Sequence, residues 1–112
     1  MNRISTIFCT ATVLWIVVFG SSAQAASLQV FACEPEWAAL STEIGGDRVS
    51  AFAATTGLQD PHQIQARPSL IAKMRSADIV VCSGAELEIG WLPTLLRQGA
   101  NAKVQPGTPG YF

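Results

Sequence analysis

Three short apolar runs, separated by stretches of helical period, set the terms for what this chain can fold into. Leu28 to Cys33 (LQVFAC), Val49 to Ala53 (VSAFA) and Ile79 to Ser83 (IVVCS) each have strand length. A run such as IVVC is apolar without alternation, as in a strand covered on both faces. That is the mark of a parallel sheet, whose neighbouring strands need crossover connections. The intervening segments can supply them. Pro35 suits the first turn of a helix, Trp37, Leu40 and Ile44 recur at helical spacing, and Gly45-Gly46 ends the pattern. Ser69 is the expected N-cap of a second helix whose buried stripe is Leu70, Ile71 and Met74. Trp91, Leu92, Leu95 and Leu96 line a third, closed by Gly99, and Val104 is the expected start of a fourth strand. This alternation predicts an α/β fold, with a mainly parallel open sheet flanked by helices.

In such sheets ligands sit at the carboxyl ends of the strands. Three features fall there: Cys33, the segment from Ala54 to Arg67, and Cys82. The middle segment has no sustained period and is long for a connection that typically takes about 2–6 residues. It holds the only histidine of the chain, in Asp60-Pro61-His62. Pro61 fixes its own φ and restricts Asp60, so His62 hangs on stiffened backbone. A neutral imidazole is a common ligand for zinc and related metals. On these residues alone an ordinary surface histidine is the commoner reading, because a zinc site needs about three or four protein ligands.

The first 25 residues read as an export leader. Arg3 is followed by an apolar run from Ile7 to Phe19, broken by Thr10 and Thr12, and then by Ala23-Gln24-Ala25. This is a signal peptide cut after Ala25. The run is shorter than the roughly 20 apolar residues of a membrane span, and Cys9 departs with it. Residues 26–112 then form one small domain in the periplasm, of a size that is marginally stable. Seven Lys and Arg against eight Asp and Glu give no field for nucleic acid or an anionic membrane surface. Cys33 and Cys82 remain as an even pair in an oxidising compartment. A disulfide, two buried thiols, and a thiolate joining His62 on a soft metal all stay open. Glu34 and Glu36, and Glu86 and Glu88, are placed to complement the dipoles of helix starts, with a metal-ligand role for Glu34 as the lesser alternative. Trp37 and Trp91 are placed to pack in the core.

From Leu28 to about Leu96 the sequence also resembles the zinc and manganese solute-binding proteins of bacterial ABC transporters. The likeness is carried in order by EIGGDRV, ending with Ile44, Gly45, Gly46, Asp47, Arg48 and Val49, by the DPH of Asp60, Pro61 and His62, by Pro68-Ser69, and by ADIVVCSGAELE with Leu87-Glu88 and Trp91-Leu92. Ile64 and Gln65 stand where Tyr and Glu are frequent, and one extra residue separates Glu88 from Trp91. The resemblance implies a two-lobed receptor that captures Zn²⁺, with Mn²⁺ as the alternative, and delivers it to an ABC permease in the inner membrane. It implies that His62 is the first metal ligand and that further ligands come later in the chain. Residues 26–112 are accordingly expected to be an incomplete N-terminal lobe. The competing expectation is a fragment or an exported interaction module that binds no metal by itself. An enzyme is not expected, since there is no nucleophile elbow, phosphate-cradling glycine loop or HExxH. No organic cofactor is implied.

Overall fold

Each apolar run does become a strand. The computed structural model describes residues 25–112, so the expected leader, with Cys9, lies outside the described residues but for Ala25. The strands are β1 (Leu28–Ala32), β2 (Val49–Ala53) and β3 (Ile79–Val81). They alternate with helices α1 (Pro35–Gly45), α2 (Pro68–Ser76) and α3 (Leu92–Gly99), and short 3₁₀ turns cover Gly46–Arg48, Pro61–Gln63 and Ala102–Val104. All pairing between the strands is parallel, in the order β2-β1-β3. Phe31 sits between Phe52 and Val80, and Ala32 between Ala53 and Val81.

Crossovers between parallel strands are right-handed. Stepping out from β1 to β2 and then back past β1 to β3 therefore puts α1 and α2 on opposite faces. The side chains follow. Phe31 and Val80 point to the face of α2 and α3, where Leu70, Met74, Leu95, Val104 and Trp91 close a dry core. Val30, Ile79 and Val81 point the other way, into an apolar groove shared with Ile44 and Phe112.

The differences from expectation are local. No residue of α1 is buried, and Leu40 and Ile44 are 47% and 78% exposed, so the apolar stripe of that helix faces solvent. Among the described residues nothing covers it. Ser69 is not a cap: Arg67 holds the N-cap position without a side-chain bond, and the Ser69 hydroxyl accepts from Arg67 Nε. Helix α3 begins one residue after Trp91 and ends at Gly99, and the left-handed cap position, usually a glycine, is taken by Ala100. β3 stops at Val81, although the Cys82 N–H still donates to Phe112 O. Val104 closes a 3₁₀ turn and is fully buried; the segment that pairs with β3 is centred on Tyr111, bridged in parallel to Val80. Gly46 ends α1 at φ +53°, where a side chain would be strained.

Candidate metal site

All three features expected at the carboxyl edge are there. The backbone between β2 and α2 is tied to the end of β1, since Ala54 N–H donates to Ala32 O, and Thr55 donates to Cys33 O through both its N–H and its hydroxyl. Beyond it the chain turns at Thr56–Gln59 and reaches Asp60-Pro61-His62.

Asp60 caps the turn Pro61–Gln63. Its Oδ1 accepts the His62 backbone N–H at 2.9 Å and lies 2.8 Å from His62 Nδ1. Those bonds hold the Asp60 carboxyl below the usual carboxylate range, so it is ionised at neutral pH. An ionised carboxylate only accepts, so Nδ1 carries a proton, and in the neutral ring Nε2 holds the lone pair. Orientation of a metal-binding imidazole by a carboxylate on its other nitrogen is a recurring arrangement. The ring is 58% exposed. Behind the loop, Trp91 Nε1 donates to Pro61 O at 2.7 Å, and a Cβ at Gly90 would lie 3.3 Å from His62 O. Ile64, buried beyond the turn, fixes its other end to the core. His62 is thus presented outward from a loop whose backbone is held on three sides.

A second cluster lies at the ends of β1 and β3. Cys33 and Cys82 form a disulfide with Cα atoms 4.9 Å apart, which settles the alternatives left open by the sequence. Both sulfurs and a Glu88 carboxylate oxygen lie within 4.8 Å of one another, yet sulfurs bonded to each other are not thiolate ligands. Glu34 and Glu88 are not the surface dipole partners expected. Both are buried, at 6% and 3% exposure. Glu34 is the N-cap residue of α1 but makes no capping bond through its side chain; its Oε2 accepts the Ser83 hydroxyl at 3.1 Å. The Glu88 oxygens accept the N–H groups of Ser83 and Gly84. Trp37 leaves the core to donate its indole N–H to Ser83 Oγ at 2.8 Å. Burial, then the neighbouring Glu88 carboxyl, pushes the Glu34 carboxyl up to about 7.

The sequence reading placed His62 and the two cysteines correctly at this edge. It missed Ser83 and the meeting of Glu34 with Glu88. The signal was present, because each follows a half-cystine or its turn. Once Cys33 is joined to Cys82, Glu34 and Ser83 must be neighbours.

Chemically, the edge offers one outward imidazole nitrogen. Among the described residues no set of three histidine, cysteine or acidic side chains includes His62. A zinc ion held here would need ligands from another surface as well.

Comparison with known proteins points the same way. A family model described as ZnuA, zinc-uptake complex component A periplasmic, matches residues 30–109. Among solved structures, the chain is similar to a ZnuA crystal structure at 29% identity and TM-score 0.61, covering 74% of this chain and 34% of that one. It is similar to a zinc-bound deletion mutant of ZnuA at 27% identity and TM-score 0.63, covering 77% and 33%. Zn(II)-bound AdcA from Streptococcus pneumoniae shares the fold, at 21% identity and TM-score 0.58 over 71% of this chain and 17% of that one. No curated protein sequence matches. The chain spans about a third of the length of the two ZnuA structures.

Proposed function

The chain belongs to the ZnuA family of periplasmic zinc-uptake components, and on that premise we propose that it takes part in capturing Zn²⁺ in the periplasm for delivery to an ABC permease in the inner membrane. The family is one of binding and transport, so the ion is cargo and no chemistry is performed on it. Residues 1–25 serve as the signal peptide, and residues 26–112 form the N-terminal lobe. His62 supplies the first ligand through Nε2, and the others come from a second lobe facing the same edge.

The observation that carries this reading is the Asp60–His62 pair: an exposed imidazole with Nδ1 committed to a carboxylate and Nε2 free. An imidazole nitrogen as the first ligand favours Zn²⁺ over Mn²⁺, which prefers oxygen. Nitrogen NMR of the single imidazole during a Zn²⁺ titration is the test. Zn²⁺ is expected to shift Nε2 and leave Nδ1 protonated. Asp60→Asn should weaken that binding by about 10–100-fold, the usual effect of losing a carboxylate that orients a ligand histidine. No Nε2 response at any Zn²⁺ concentration would sink the assignment. N-terminal sequencing of the exported protein should begin at Ala26.

A further inference from the structure

The ledger of hydrogen bonds at the second cluster does not close with ionised carboxylates. Both Glu88 oxygens have N–H donors and Glu34 Oε2 has the Ser83 hydroxyl, but Glu34 Oε1 is buried with no partner among the described residues. The two carboxyls meet at one residue, Glu34 Oε2 taking the Ser83 hydroxyl and Glu88 Oε1 the Ser83 N–H. No cation meets them, for the ion pairs among the described residues are His62 with Asp60 and Lys103 with Asp78. Two buried like charges with an unpartnered acceptor are costly, whereas a proton on Glu34 removes one of the charges.

We infer that Glu34 and Glu88 share a single proton, and that this acid pair positions the His62 loop by holding the turn that carries Trp91. Glu88 grips that turn at both ends. Its carboxylate takes the N–H groups of Ser83 and Gly84, and its backbone carbonyl takes those of Trp91 and Leu92. Gly84, Ala85 and Glu86 between them all have positive φ, so the turn does not hold its own shape cheaply. Trp91 then bonds Pro61 O, and Gly90 allows the close approach of His62 O. The other titratable and charged groups on these elements are Glu36 and Glu43 on α1, Glu86 in the turn, and Asp60, His62 and Arg67 on the loop. None of them hydrogen-bonds either carboxyl, and the disulfide does not titrate. The value of a positioned loop rests on His62 being a ligand; the shared proton does not.

The raised Glu34 pKa gives the sign. The folded protein keeps a proton that the unfolded chain releases near 4.5. The stabilisation is complete below that pH, is lost as pH rises toward about 7, and stays lost above it. Glu34→Gln should rescue, because its amide donates to Glu88 without a proton; Glu34→Ala should not. The test compares wild type, Glu34→Gln and Glu34→Ala without metal at about pH 5 and about pH 8, reading the thermal midpoint and hydrogen exchange of the Trp91 indole N–H. The wild-type midpoint is expected to fall between the two, and that of Glu34→Gln to stay level. At the higher pH the Trp91 indole should exchange about tenfold more slowly in Glu34→Gln than in wild type, and equally at the lower. A pH-independent wild type, or a Glu34→Gln variant as damaged as Glu34→Ala at both values, overturns the shared proton. So does a divalent ion found in the purified protein and lost together with stability on chelation. A level Glu34→Gln profile with unchanged Trp91 exchange overturns the positioning role. The Zn²⁺ titration is separate, so failure of the metal reading is distinguishable.

Discussion

The two acidic clusters at the carboxyl edge of the sheet are built in opposite ways. Asp60 and His62 are two residues apart, more than half exposed, and satisfied by each other. Glu34, Ser83 and Glu88 are drawn from segments 49 residues apart, and both acids are buried. The local pair needs only a proline-stiffened turn, and it leaves a nitrogen facing outward. The distant trio needs the whole sheet and a disulfide, and it turns its polar atoms inward. A protein that must offer a ligand to a passing ion gains from the first arrangement, because an exposed nitrogen is not desolvated before the ion arrives. The second suits support, because a buried polar network has one low-energy arrangement and resists displacement.

That contrast can be broken at several points. Trp91, fully buried and bonded to Pro61 O, joins the two regions. Trp91→Ala should cost about 3–5 kcal/mol in denaturant unfolding and should also mobilise the His62 loop. A loss of stability without loop mobility would show that Trp91 is only core. Removal of the disulfide by the double substitution Cys33→Ser, Cys82→Ser should cost about 2–5 kcal/mol. It should also free the Ser83 contacts, seen as faster exchange at the Trp37 indole. If the network survives intact, the trio is held by the sheet alone. His62→Ala stands at the small end. The unfolding midpoint should stay level, because among the described residues the exposed ring hydrogen-bonds to Asp60, itself at the surface. A marked loss of stability would show that the exposed pair is structural after all. In the same region Asp60 lies below its ordinary pKa, so its contribution is present at neutral pH and is lost only as the solution becomes acid.

Much of the fold was legible because period and punctuation are local properties. Leu28–Ala32 and Val49–Ala53 fall where their apolar runs stand, and Pro35 starts a helix where the backbone needs no donor. The stiffened Asp60-Pro61-His62 loop was legible for the same reason, while the bonds from Asp60 to His62 were seen only in the structure. The mistaken elements depended on distant partners. Leu40 and Ile44 have helical spacing, but spacing states which face is apolar and not whether anything covers it. Val104 is apolar enough for a strand, yet the chain between α3 and the edge of β3 first makes a buried 3₁₀ turn, and pairing waits for Tyr111.

By itself, then, the sequence determined the order of elements, the parallel sheet and the stiffened loop that carries His62, since each follows from sterics and hydrogen bonding within a few residues. Only the tertiary structure decided that Cys33 meets Cys82, and that Glu34 and Glu88 become a buried acid pair. The physical reason is range. A carboxylate at a helix start looks like a solvated dipole partner until the fold brings a second one beside it and removes the water.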